Sequence, residues 1–326
     1  RNFYSAGIHT NHGLYATLYS FPAMMKRNLM KGSVIPRYSG LPTVLKENGY
    51  YNLFFMTHEG QYDNMNAFFR TNGYDEVFSQ ENYPADKVVN SFGVQDDFLY
   101  DYAIPVLNQR AATGEPFFAT LLSISNHPPY VIPPFFHPKT SEPETQIVEY
   151  ADWALRKFFE EARKQPWFDN TIFVLEGDHG KLVGDAECEL PESYNHIPLM
   201  IYSSRIHPEE KNTFGGQVDI QPTILGLLNI DYLQNNFGVD LLKEERPCMF
   251  YTADNMIVGR NDTLLYLYNY ETQQEFTYHI DNGKLKAVPM DDRFLPLKEY
   301  SFSMLQSAEF LVKHGKTVNS VPFTQQ

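Results

Sequence analysis

Short apolar runs alternate with stretches of helical spacing along the first two thirds of the chain. Tyr51-Asn52-Leu53-Phe54-Phe55-Met56 is one such run, and a helix-like stretch over 41–48 precedes it. Three more buried-strand patterns lie at 116–123, 170–175 and 198–202. Between them, Val148, Ala151, Leu155, Phe158 and Phe159 recur at the spacing of one helix face, which predicts a helix over 146–164. A second helix is predicted over 221–228, with Asp219 as its cap and Pro222 in its first turn. Strands alternating with helices predict an α/β fold, a mostly parallel central sheet with helices on both faces.

The pattern changes after Pro247. Runs at 249–252, 264–268 and 275–280 read as hairpin strands, with turns at Asn261-Asp262, Asn269-Tyr270 and Asp281-Asn282-Gly283, and 297–313 reads as a closing helix. The expected organisation is a catalytic domain over 1–246, its first strand lying upstream, and a small C-terminal α+β subdomain over 247–326. The prolines at 128–129 and 133–134 are flanked by aromatics and read as a structured loop.

Parallel sheets place their sites at the carboxyl ends of strands, and three predicted strands end near a histidine. Thr57-His58-Glu59-Gly60 follows the first, Ser125-Asn126-His127-Pro128 the second, and Gly177-Asp178-His179-Gly180 the third. One such histidine means little; three suggest convergence at one sheet edge. Adjacent Asp178 and His179 suit a divalent metal of intermediate hardness, although the tetrapeptide alone is equally a turn with a surface histidine. Upstream, Gly7-Ile8-His9-Thr10-Asn11-His12-Gly13 leads into a helix opening at or just after Thr10. A hydroxyl there meets free N–H groups and the positive end of the helix dipole, a good place to attack a phosphate. Taken alone, Thr10 is also an ordinary helix cap.

Composition narrows the classes. A 326-residue chain that is 43% hydrophobic and 20% charged can bury a real core. A net charge of −14 argues against nucleic acid and anionic membrane faces as partners, while a metal can still hold a phosphate locally. Cys188 and Cys248 have no CxxC partner; a disulfide between them is one of two open readings. No run reaches the roughly 20 apolar residues of a membrane span. The start at Arg1-Asn2-Phe3-Tyr4 reads as that of a fragment, with any anchor or export signal upstream.

In order, Thr-Asn-His-Gly, Ser-Asn-His-Pro, Gly-Asp-His-Gly and Val218-Asp219-Ile220-Gln221-Pro222-Thr223-Ile224-Leu225 resemble the lipoteichoic acid synthase-like branch of the sulfatase and alkaline phosphatase superfamily, over residues 1–245. The resemblance implies an alkaline phosphatase-like fold and a phosphoglycerol transferase. Thr10 matches the nucleophile, which also ligates the metal; Asp178 and His179 match two further ligands; and a glutamate ligand is expected upstream of residue 1. His127 and His58 match substrate-pocket histidines. The stretch Asp63-Asn64-Met65-Asn66 stands where the family carries a tryptophan and an arginine, and Asp63 and Asn64 with Asn126 and His196 complete the substrate-binding candidates. His196 has a structural reading as well.

The implied cofactor is one divalent metal, Mn²⁺ ahead of Mg²⁺ or Zn²⁺. The implied partners are a phospholipid headgroup or other phosphodiester donor and an alcohol acceptor. The implied place is the outer side of the bacterial cytoplasmic membrane, with a membrane anchor in the N-terminal segment. The alternatives are a hydrolase on the same fold, acting on phosphodiesters or sulfate esters, and a phosphoethanolamine transferase. A sulfatase needs Cys or Ser in a Cys/Ser-x-Pro-x-Arg context, and Thr10-Asn11-His12-Gly13-Leu14 lacks it. Two cysteines do not support the disulfide framework of a phosphoethanolamine transferase.

Overall fold

The computed structural model describes residues 2–32 and 34–319. The chain divides into two compact units, one of residues 1–41, 173–202 and 207–326, the other of residues 42–172 and 203–206.

The second unit is built on a three-stranded parallel sheet. Its middle strand, Tyr51–Met56, pairs with Glu76–Phe78 on one side and Phe117–Leu122 on the other. A middle strand covered on both faces has no solvent side, so its residues are apolar without alternation. Leu53 through Met56 are all buried, and Phe54 stacks on Phe69 of the helix Met65–Thr71 with ring centroids 4.1 Å apart. Asn52, the one polar residue of that strand's interior, donates to the carbonyls of Pro42 (2.6 Å) and Gly73 (2.8 Å). The helices Asp96–Ala111 and Pro143–Ala162 pack together, burying Leu99, Ala103 and Leu107 from one and Ile147, Tyr150 and Ala154 from the other.

In the first unit, Phe3–Tyr4 pairs in parallel with Gly215–Gly216, and Phe173–Glu176 pairs antiparallel with Leu199–Tyr202. The helices Thr10–Tyr19 and Ile220–Leu227 join them. The C-terminal sheet is a five-stranded antiparallel meander: Met249–Thr252, Met256–Arg260, Leu264–Asn269, Gln274–Asp281 and Lys284–Ala287. One core cluster joins Tyr251, Val258, Leu265 and Leu267 of this sheet to Tyr4, Leu190 and Phe214, so residues from both sides of position 246 share one core. The helix Leu295–Lys313 closes the sheet at Gly259, where an added Cβ would lie 2.4 Å from Ser301 Oγ.

Several elements differ from expectation for local reasons. The strand expected at 170 begins at Phe173, because Phe168–Asn170 forms a 3₁₀ turn. Lys284–Ala287, an exposed edge strand with alternating lysines, carries no apolar run to announce it. Asp219 does not cap the following helix with its side chain; its carboxylate accepts from Gly216 N and Val239 N and pairs with Arg246. Both cysteines are free thiols.

Candidate active site

The first unit assembles a compact polar group from two loops. The helix Thr10–Tyr19 opens on Thr10 itself, with His9 in the extended conformation at the cap position. Thr10 therefore does not cap the helix; it is its first residue. Its Oγ1 donates to Asp178 Oδ2 at 2.7 Å. Asp178 and His179 lie just past the carboxyl end of the strand Phe173–Glu176, separated from it by Gly177. Asp178 Oδ1 accepts the His179 backbone N–H (2.9 Å), which fixes the carboxylate's second oxygen toward Thr10.

His179 is oriented by its own backbone. Its Nδ1 lies 2.8 Å from the Gly180 carbonyl, which can only accept, so Nδ1 carries the proton. In the neutral ring the Nε2 lone pair then faces Asp178 Oδ2 at 3.5 Å. Two acceptors facing each other are stabilised by a cation between them, and a histidine whose far nitrogen donates to a carbonyl is in the usual state of a metal ligand.

Among the described residues no group of three or more His, Cys, Asp and Glu side chains is arranged to hold a metal. The site contributes two such side chains and a hydroxyl. Those three donors fit one side of the shell of a small divalent cation and leave the other side to further ligands.

The surroundings of these residues are tightly built. Glu176 is half-buried near Asp178 and accepts a hydrogen bond from Thr17 Oγ1. Burial pushes its carboxyl up to about 8; the Thr17 bond opposes this and the Asp178 charge adds to it. His12, one turn into the helix, is held neutral with its pKa down to about 4, first by burial and then by His9. His9 itself is exposed, with Nε2 2.6 Å from Asp254 Oδ1. Gln217, 1% exposed, bonds to both site loops. His196 stacks on Tyr4, ring centroids 5.1 Å apart, and is solvent-exposed at its edge. Sequence reasoning assigned no role to Glu176, His9, Asp254 or Gln217. Of these, only His9 lies inside a segment that stood out in the sequence, Gly7–Gly13.

The remaining candidates lie in the second unit. His58 is 1% exposed; its Nδ1 bonds to the Glu59 carbonyl and its ring packs on Tyr62, and burial lowers its pKa. Asp63 (φ 50°) and Asn64 (φ 63°) form a left-handed turn, a conformation that Asp and Asn adopt more readily than most residues. Asn126 and His127 are exposed, and His127 packs against Phe92 at 4.0 Å. Buried Asp96 holds their loop by accepting from Ile124 N and Ser125 N, both at 2.9 Å. His127 lines a small cavity with Phe92, Gln95 and Ser125.

The sulfatase family profile matches residues 1–230, and the chain belongs to that family. Within it the chain is similar to lipoteichoic acid synthases. It is 26% identical to lipoteichoic acid synthase 1 of Bacillus subtilis over 274 residues, 77% of this chain and 41% of that protein. It is 24% identical to the lipoteichoic acid synthase of Staphylococcus aureus over 242 residues, 64% of this chain and 35% of that protein. The chain thus spans less than half the length of these curated relatives. Among solved structures, a protein of the alkaline phosphatase superfamily from Vibrio parahaemolyticus superposes with a TM-score of 0.87 at 26% identity, covering 98% of this chain and 79% of that one. The lipoteichoic acid synthase LtaP from Listeria monocytogenes superposes with a TM-score of 0.82 at 21% identity, covering 96% and 83%. The fold is alkaline phosphatase-like. Members of this superfamily are phosphoryl or sulfuryl transferases and hydrolases, and they typically use a divalent metal ion.

Proposed function

We propose that this chain is the catalytic domain of a phosphoglycerol transferase that moves a phosphodiester headgroup from a phosphatidylglycerol-like donor to an alcohol acceptor through a phospho-threonine at Thr10. The observation that carries the reading is the 2.7 Å hydrogen bond from Thr10 Oγ1 to Asp178 Oδ2 at the first residue of a helix. The hydroxyl's proton already points at a carboxylate, and the N–H groups of the first helical turn offer donors to an anion beside it.

Oγ1 attacks the phosphorus in line with the diacylglycerol oxygen. The bond from Oγ1 to phosphorus forms as the bond to that oxygen breaks, and the leaving oxygen takes up a proton. The acceptor alcohol then displaces Thr10 from the phosphorus and returns the hydroxyl. Thr10, Asp178 and His179 would hold the divalent ion, Mn²⁺ in our reading, which supplies Lewis-acid stabilisation and a lowered hydroxyl pKa when bound. His179, with Nδ1 fixed on Gly180, keeps Nε2 free for that role. His127 and His58, with Asn126, Asp63, Asn64 and His196, are our candidates for headgroup contacts. We place the domain outside the bacterial cytoplasmic membrane on an N-terminal anchor; no helix among the described residues is long and apolar enough to cross a membrane.

The test is Mn²⁺-dependent release of diacylglycerol from phosphatidylglycerol by the full-length protein. Turnover abolished by Thr10→Ala supports the reading, and transfer of glycerol phosphate to an alcohol rather than to water separates transferase from hydrolase. Turnover of an aryl sulfate in place of the phospholipid overturns it.

A further inference from the structure

One side chain ties the two loops of the site together. Gln217 Oε1 accepts from Ala6 N at 2.8 Å, in the segment that leads into Thr10. Its Nε2 donates to the carbonyls of Asp178 (2.8 Å) and Gly177 (3.1 Å). The partners fix the orientation of the amide, since a backbone N–H can only donate and carbonyls can only accept. The side chain is 1% exposed, so water does not replace these bonds when they are lost. The helix that carries Thr10 packs on the same carbonyl: a Cβ at Gly13 would lie 2.4 Å from Asp178 O and 2.9 Å from Gln217 Nε2.

Gln217 is itself held fast. It begins the 3₁₀ turn Gln217–Asp219, and Asp219 anchors that turn through Gly216 N, Val239 N and the Arg246 guanidinium. The backbone on which Asp178 is mounted and the segment that delivers Thr10 are therefore spaced by one carboxamide on a rigid base.

We propose that Gln217 is a positioning residue that sets the separation of Thr10 and Asp178, and through it the site's capacity to bind a divalent cation and form the phospho-threonine. This rests on the assignment of Thr10 and Asp178 made above. Neither an apolar residue nor the isosteric acid serves: Leu makes none of the three bonds, and Glu keeps the acceptor for Ala6 N while setting a carboxylate against two carbonyls.

The test compares full-length wild type, Gln217→Leu and Gln217→Glu by three readouts: the crystallographic distance from Thr10 Oγ1 to Asp178 Oδ2, Mn²⁺ affinity by titration, and kcat and KM for phosphatidylglycerol. Thr277→Val, which removes a hydrogen bond to Val288 in the C-terminal sheet, is the control for simple destabilisation. In both Gln217 variants the distance is expected to open past about 3.5 Å. Mn²⁺ affinity is expected to fall by about 10–100-fold, as for partners that orient metal ligands. The loss of turnover is expected in kcat with KM little changed. Should Gln217→Leu not fold, Gln217→Glu decides on the same readouts. A folded variant that keeps the wild-type distance overturns the proposal, and so does Thr277→Val if it reproduces the losses. If wild type neither binds Mn²⁺ nor turns over phospholipid, the functional reading fails, and the distance alone decides the role of Gln217.

Discussion

Arg246 grips Asp219 through Nε at 2.8 and 2.9 Å, in a pair whose side chains are only 7% and 0% exposed. Burial alone would lower the guanidinium pKa, but the Asp219 charge overrides it and raises it. The pair is reinforced by Arg246 Nη1 on the Tyr300 hydroxyl (2.8 Å) and Nη2 on the Phe237 carbonyl. Removing one partner leaves an uncompensated buried charge. Arg246→Met is expected to cost about 3–5 kcal/mol of unfolding free energy. The double variant Arg246→Met with Asp219→Asn is expected to cost less than the two single changes added together. Denaturant unfolding checks both; strict additivity would show that the pair is not the unit of stability.

Gly13 tests how closely the helix that opens on Thr10 must approach the Asp178 loop. The atom its Cβ would strike, the Asp178 carbonyl oxygen, is backbone and cannot swing aside. Gly13→Ala is expected to cost about 1–3 kcal/mol in stability as an overpacked site. It should also cost far more than its stability loss in turnover, since an ångström of misplacement at a reacting group is worth about 10²-fold. Wild-type kcat in a folded Gly13→Ala protein would show that the helix has room to spare.

The strand Tyr51–Met56 was legible to the residue because a strand buried on both faces must be continuously apolar. Thr10, Asp178 and His179 stood out as candidates for a different reason: each sits at a predicted element end, in a short motif whose order along the chain is informative, and the structure brings Thr10 and Asp178 into hydrogen-bond contact. Lys284–Ala287 was not, since an edge strand facing solvent needs no apolar pattern. Gln217 was not legible either. Its hydrogen bonds reach Ala6, 211 positions away, and backbone carbonyls that have no side-chain identity. Nor was Asp219's partner: a carboxylate ahead of a helix reads as a cap, and only the fold shows that Arg246 claims it. Sequence pattern reports burial and chemistry residue by residue; it does not report which distant backbone a polar side chain will meet.

Asp178 and His179 are expected to couple metal to stability. If they bind Mn²⁺ in the folded state alone, the ion stabilises by about 2.7 kcal/mol at a concentration one hundred times its dissociation constant. Wild-type protein should melt at higher temperature in Mn²⁺ than in EDTA. The double variant Asp178→Ala, His179→Ala should melt at the same temperature in both. A shift that survives the double variant would place the ion elsewhere.

Glu176 is expected to make the metal-free protein less stable as pH rises. In the folded chain its carboxyl holds its proton to about 8, against an ordinary value of 4.5, because burial penalises the charge and Asp178 adds repulsion. Between those two values the unfolded chain has released a proton that the folded chain keeps. The folded state then binds more protons, so the slope of stability against pH is negative. The contribution of Glu176 is therefore complete below about 4.5 and is lost as pH climbs through 8. Glu176→Gln keeps an oxygen to accept from Thr17 and has no proton to lose. The free energy of unfolding of that variant, measured in EDTA from pH 5 to 8.5, should gain on wild type as pH rises, at a limiting rate of about 1.4 kcal/mol per pH unit. A difference between the two proteins that stays flat across the range would mean that Glu176 is ionised in the folded state, and that a positive charge absent from the described residues sits beside it.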